Sequence, residues 1–261
     1  MQKRYLCEVG YDGTAFQGWQ VQPGARTVQG EIEAALAPLS GGKPVRIHAS
    51  GRTDTGVHAR GQTFHFDSVR TDFEPSRWVK ALNGMLPPDV RIFDAHEVPP
   101  DFHARFDAVK KEYRYFVFCG QTMPPELRFT RLHQPVGLDF QAMGSAAQIL
   151  TGEHDFRAFS AIRVNAEENT VRHIHELSIQ QTDDGFCVRA LSDGFLYRMV
   201  RQITGTLLRV GRGDLSTADV SRILKEAVRT PQTVTAPPQG LFLWRVMYGD
   251  GKKPLDFENS R

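Results

Sequence analysis

A β-α-β-β-α-β order that occurs twice predicts an α+β fold for this 261-residue chain. Three patterns carry the prediction. Short runs in which apolar residues alternate with polar ones, the period of a strand, recur in both halves. Each half also holds stretches with apolar residues every three or four positions, the period of a helix. Around residues 99–106 both periods lapse, which sets two expected domains, 1–105 and 106–261.

The first half opens with a strand over residues 4–10, followed by a polar-aromatic loop, 11–20, whose Asp12-Gly13 pair signals a turn. Phe16 and Trp19 in this loop suit either stacking on a base or sealing the edge of a core. Val28, Ile32, Ala35, Leu36 and Leu39 form a helical stripe behind Thr27, a good N-cap. Residues 45–50 alternate as a strand, and so do residues 62–66. Pro75 starts a second helix through Trp78, Val79, Leu82 and Met85, which Pro87-Pro88 ends. Residues 90–95 close the first unit as a strand.

In the second half, residues 111–118 read as a strand and residues 139–150 as a helix. Two alternating runs, 171–180 and 186–192, flank Asp183-Asp184-Gly185, a hairpin signal. A helix follows through Leu196, Met199, Val200, Ile203, Leu207 and Leu208. Another spans 216–228, with Ser216 and Asp219 placed for a capping box. Residues 241–248 form the last strand, and 250–261 read as a frayed end. The order predicts two ferredoxin-like halves with antiparallel sheets flanking a central cleft.

Composition narrows the function classes. With 40% apolar and 24% charged residues the chain reads as globular, and no apolar run is long enough for a membrane span. The N-terminus leads directly into a strand pattern without the apolar core of a signal peptide, so the expected location is cytoplasmic. Cys7, Cys119 and Cys187 are odd in number and far apart, which suits buried free thiols. The nine histidines show no metal-ligand spacing, and neither glycine-rich phosphate motif occurs. No metal and no cofactor are expected.

The chemistry concentrates in residues 51–59, Gly-Arg-Thr-Asp-Thr-Gly-Val-His-Ala, a loop between two strands. Asp54 is the candidate nucleophile, and Arg52, two residues away, favours its charged form. Arg201 breaks an apolar helix face; it suits either a snorkelling side chain or a buried cation that needs a carboxylate, for which Asp54 is a candidate. Tyr113 and Tyr115 alternate on one strand, so they share a face, and that face suits a solvent cleft. Tyrosine rings beside arginines suit the stacking of an extruded base. Arg26, Arg60, Lys80, Lys110 and Lys111 are candidate contacts to RNA.

In order along the chain, six blocks resemble the tRNA pseudouridine synthase A family. They are Tyr11-Asp12-Gly13-Thr14 with Gly18-Trp19-Gln20; the 51–59 loop; Phe102-His103-Ala104-Arg105; residues 111–115; Phe195 with Met199-Val200-Arg201 and Gly205; and Ala236-Pro237 with Gly240-Leu241. The resemblance implies isomerisation of uridine to pseudouridine in the anticodon stem-loop of tRNA, at positions 38, 39 and 40. It implies Asp54 as nucleophile, Tyr113 stacked on the target base, Arg201 paired with the Asp54 carboxylate, and Arg52 holding the base out of its helix. It implies a homodimer that needs neither metal nor cofactor. Thr55 stands where the family usually has alanine.

Two other classes compete. Asp54-Thr55-Gly56 is the aspartic-protease triplet, but the chain has no second copy, and an adjacent arginine opposes proton sharing between two carboxylates. A non-catalytic RNA-binding protein explains the aromatics and arginines but leaves Asp54, which repels phosphate, without a purpose.

Overall fold

The computed structural model describes residues 2–161 and 169–249. Its strands are β1 (Lys3–Tyr11), β2 (His48–Ala49), β3 (His58–Ser68), β4 (Val90–Val98), β5 (Ala108–Phe118), β6 (Leu132–His133), β7 (Gly152–Asp155), β8 (Val171–Thr182), β9 (Gly185–Ser192) and β10 (Leu241–Tyr248). Its α-helices are α1 (Val28–Leu39), α2 (Pro75–Met85), α3 (Phe140–Ile149), α4 (Met199–Gly211) and α5 (Thr217–Glu226). The fold is α+β, as the sequence predicts. The stretch 250–261, expected to be frayed, lies outside the described residues.

The chain divides into two compact units. Unit 1 runs to Val109 and resumes at Leu243; unit 2 comprises Lys110–Phe242. In unit 1 the sheet order is β4-β1-β3-β10, with β2 paired to β3. β1 is antiparallel to both neighbours, with Cys7 opposite Phe64 on β3 and Ala95 on β4. Its apolar face carries α2, where Tyr5, Phe66 and Trp78 pack together with ring centroids 5.1–5.6 Å apart. All three rings are essentially solvent-free. Burial of each contributes about 2–3 kcal/mol.

In unit 2 the order is β5-β9-β8-β7, with the short β6 running parallel to β5 and the other pairs antiparallel. The turn at 183–184 joins β8 to β9 in a two-residue hairpin, Thr182 opposite Gly185. α4 is buried at nearly every position. α5 begins with the expected capping box, in which Ser216 and Asp219 each bind the other's backbone amide.

Two sequence readings differ from the structure. The strand expected over 45–50 shrinks to His48–Ala49, because the Ile47 amide donates to the Glu33 side chain on α1 (3.1 Å) instead of to a neighbouring strand. The tyrosine face of β5 is also not a solvent face along its length. Tyr113 is half-buried, but Tyr115 and Val117 are fully buried, so that face turns into core after one residue. The opposite face holds Glu112, itself without exposure, under Arg114 (2.7 Å) and Arg189 (2.9 Å).

Candidate active site

In unit 1, the loop that carries Asp54 is held from both sides by buried groups. On one side lies the 12–19 loop. Trp19 donates its amide to the Thr53 carbonyl (3.0 Å), and Gly56 donates to the Phe16 carbonyl (3.4 Å). Gly18 has φ +85°, and a side chain there would press on the Thr53 carbonyl and on the main chain of Asp54 and Thr55. Only glycine combines that backbone angle with that approach. Phe16 and Trp19, at 1% and 2% exposure, seal the core rather than offer a stacking surface.

His58 closes the same side. Its Nδ1 lies 3.0 Å from the Gly13 amide and 3.2 Å from Asp12 Oδ1. Asp12 also caps the turn by accepting the Thr14 amide. Burial pushes the Asp12 carboxyl up, but the Thr14 hydrogen bonds and nearby His58 outweigh it and hold it below its ordinary value.

On the other side is a buried polar network. Gln62 on β3 accepts from the Ser50 hydroxyl (2.6 Å) and donates to the Gly51 carbonyl (2.9 Å). The Thr53 and Tyr11 hydroxyls meet at 2.7 Å, and Tyr11 also bonds Gln62. Residues 50, 51 and 53 are thus fixed on either side of Arg52, which is exposed. Asp54 is half-buried, and its carbonyl accepts the Val57 amide (3.1 Å), closing the turn. Thr55 is exposed, so its extra hydroxyl does not disturb this packing.

Unit 2 holds Tyr113 and Arg201. The Tyr113 ring meets Phe195 edge-on, with centroids 5.1 Å apart at 85°. Arg201 is 8% exposed, and its Nε donates to the Ala236 carbonyl (2.7 Å), while the Ala236 amide donates back to the Arg201 carbonyl (3.0 Å). Tyr115 donates to the Pro237 carbonyl (2.8 Å). A Cβ at Gly205 would overlap the Val234 carbonyl, so glycine is what admits the 234–240 segment against α4. Buried Arg201 is therefore locked to a specific segment and is not a snorkelling surface residue.

The structure thus groups Arg52 with Asp54 in unit 1 and secures Tyr113 and Arg201 in unit 2. Tyr11, Thr53, Gln62 and His58 are the supports of this loop that the sequence does not announce; Tyr11 and the loop motifs are visible in it, but not what they touch. Among the expected RNA contacts, Arg26 is spoken for: it is bidentate to Asp89 (2.7 and 3.0 Å), binds Glu31 (2.8 Å) and lies over the Phe16 ring. Cys7 and Cys187 are buried as expected, whereas Cys119 is half-buried; all three are free. No helix among the described residues is long and apolar enough to cross a membrane.

A single carboxylate on a polar loop braced by a buried network, in a two-unit α+β chain that also holds a shielded arginine and a ring-braced tyrosine, defines the class of a candidate active site built around Asp54. Comparison with known proteins makes the class specific. The model of the tRNA pseudouridine synthase family matches residues 9–107 and 146–249. A tRNA pseudouridine synthase A from Geobacillus sp. is 46% identical over 250 residues, covering 95% of this chain and 99% of that protein. Proteins of the same name from Listeria monocytogenes (48%) and Anoxybacillus flavithermus (45%) each match 94% of this chain and 99% of their own length. A chain of a Cbf5-Nop10-Gar1 complex overlaps 78% of this chain and 54% of its own length at 13% identity and a TM-score of 0.32, a likeness too slight to bear on the fold. The chain belongs to the tRNA pseudouridine synthase family.

Proposed function

We propose that this chain isomerises uridine to pseudouridine in the anticodon stem-loop of tRNA, at positions 38, 39 and 40, with Asp54 as the nucleophile. The observation that carries this reading is the bracing of the Asp54 loop by Gly18, Trp19, Tyr11 and Gln62. The brace fixes the main chain on both sides of Arg52 and Asp54, so the carboxylate is presented from a defined place.

The reaction breaks the bond from uracil N1 to ribose C1′, turns the base and joins C1′ to C5; C5 then gives up its proton and N1 takes one up, so the sum of atoms is unchanged. Nothing is oxidised and no group leaves, so the chemistry calls for no cofactor. Positive charge develops at the anomeric carbon, where a fixed carboxylate is the natural stabiliser or nucleophile. The target base has to leave its stack first, at a cost of a few kcal/mol, and a flat ring then has to hold it while it turns. In this reading Tyr113 supplies that ring, Arg201 serves the Asp54 carboxylate, and Arg52 holds the extruded nucleotide. The enzyme works as a homodimer in the cytoplasm, where its tRNA is.

The test is incubation with uridine-labelled tRNA followed by nucleoside analysis. The expected product is pseudouridine at 38–40 with the parent and none with Asp54→Asn, which should still bind tRNA. Turnover by Asp54→Asn at an appreciable fraction of the parent rate removes Asp54 from the chemistry. A parent that yields no pseudouridine but cleaves peptide at acid pH establishes the aspartic-protease alternative.

A further inference from the structure

We propose that three rings in unit 1, His48, His103 and Phe106, packed on the buried ring of His65, form an RNA-contact surface that takes an unstacked base of the tRNA on the Phe106 ring, apart from the nucleotide that reacts. The inference rests on the function proposed above and adds a second point of contact to it.

Phe106 is 75% exposed, the most exposed large hydrophobic side chain among the described residues. A single exposed apolar residue needs no explanation. The surroundings of this one do. The His103 ring lies 4.3 Å from it at 33°, and the Arg105 guanidinium carbon lies 5.9 Å from its centre. His103 in turn meets His65 edge-on at 4.7 Å and His48 at 5.7 Å, and His48 stacks on His65 at 5.1 Å and 18°. The result is a continuous strip of flat rings that ends in an open phenyl face.

Two of the imidazoles are fixed in orientation by the main chain. The Ala104 amide donates to His65 Nδ1, and the Arg105 amide donates to His103 Nδ1, both at 3.1 Å. Each ring therefore keeps its proton on Nε2; His65 is buried, so of the two only the half-buried His103 offers that donor outward. The nearby carboxylates are already engaged. Asp107 accepts the His103 amide (2.7 Å), and Asp67 is bidentate with Arg4 (2.7 and 2.8 Å).

A lone aromatic face flanked by donors and a guanidinium matches the recognition of unpaired RNA, where a base stacks on the ring and phosphate or base edges take the donors. A protein partner is favoured by a core of contiguous apolar side chains with a polar rim, the reverse of this arrangement. Position agrees. His48 and His65 pair at the base of the hairpin whose loop holds Asp54. Asp54 follows His48 by six residues, a stretch that spans at most about 20 Å. The strip lies within the footprint of a stem-loop bound at Asp54.

The experiment measures tRNA affinity, KM and kcat for the full chain and for Phe106→Ala, Phe106→Trp and Arg105→Gln, each checked for an unchanged melting temperature and sedimentation. Loss of one stacked base is expected to weaken binding and raise KM by roughly five- to a hundredfold in Phe106→Ala, with kcat at saturation within about twofold of the parent. Phe106→Trp keeps parent-like affinity. Arg105→Gln lowers the slope of log affinity against log salt by about one. Affinity within twofold of the parent in both Phe106→Ala and Arg105→Gln overturns the proposal. So does a Phe106→Ala protein that dissociates into smaller species with its tRNA affinity intact, which makes the strip a protein interface. If Phe106→Ala does not fold, Arg105→Gln alone decides by the same criteria. A parent that makes no pseudouridine defeats the underlying function instead, and is read separately.

Discussion

The Tyr11 and Thr53 hydroxyls lie 2.7 Å apart and buried, one at the last residue of β1 and the other next to Asp54 in the candidate catalytic loop. Burial raises the Tyr11 phenol well above its ordinary pKa, so it stays a neutral hydroxyl at any working pH. Removing one partner leaves the other buried without its bond, at a cost of about 1–3 kcal/mol. Tyr11→Phe and Thr53→Val should each lower unfolding free energy by that order. The double variant should lose less than the sum, because the bond between the two hydroxyls is then lost once rather than counted twice. Urea unfolding of the four proteins checks this; strict additivity means the two hydroxyls do not depend on each other.

Catalysis should feel the same change. If this pair fixes the Asp54 loop, Tyr11→Phe lowers kcat at saturating tRNA by tenfold or more and leaves KM near the parent value. A variant that loses stability but keeps its kcat shows the pair to be structural only.

Tyr113 tests the other unit. Its edge-on contact with Phe195 holds the ring plane without using the hydroxyl. Tyr113→Phe should then retain much of the activity, and Tyr113→Ala should lose it by orders of magnitude, read as pseudouridine formed per minute. Equal activity in the two variants contradicts a stacking role.

Much of this architecture was legible because its signals are local. The alternation over 241–248 gives β10 its full length, and Ser216 with Asp219 announces the start of α5. What escaped depends on residues far apart in sequence. Arg26 looks like a surface cation until Asp89, 63 residues later, closes on it. The run 45–50 looks like a strand until a Glu33 carboxylate from α1 takes the Ile47 amide. Tyr115 looks like a partner for Tyr113 on an open face until the 234–240 segment covers it. For the site, Asp54 and its loop stood out by composition. The brace of Tyr11, Gln62 and Gly18 did not, since no periodicity marks a hydrogen bond across 42 residues.

Glu112 makes the strongest case for an ion cluster that stability depends on. It has no exposure, and Arg114 and Arg189 bind it, while Arg189 also reaches Glu176 at 2.6 Å. Burial alone raises its pKa, but the bonds from Arg189 and Arg114 outweigh burial and leave it below the ordinary value. Glu112→Gln strands two partly shielded guanidiniums and should cost roughly 2–3 kcal/mol, less than a fully buried pair because both arginines keep some solvent. A loss below about 0.5 kcal/mol in denaturant melts shows that water replaces the carboxylate.

His65 gives unit 1 a predictable acid sensitivity. Its pKa falls from 6.5 to about 4, first through burial and then through the charges of Arg4, His103 and His48, with Asp67 opposing. The folded chain keeps the ring neutral, whereas the unfolded chain takes a proton below about pH 6.5. The unfolded state therefore binds more protons between about pH 4 and 6.5, and stability present above that window is lost as pH falls through it. From the shift, the loss attributable to this ring reaches about 2 kcal/mol by pH 5. His65→Asn keeps an acceptor for the Ala104 amide but cannot titrate. The fall in unfolding free energy between pH 7 and pH 5 should be smaller in His65→Asn than in the parent by about that amount. Equal falls in the two proteins show that the ring takes up its proton without unfolding the packing around it.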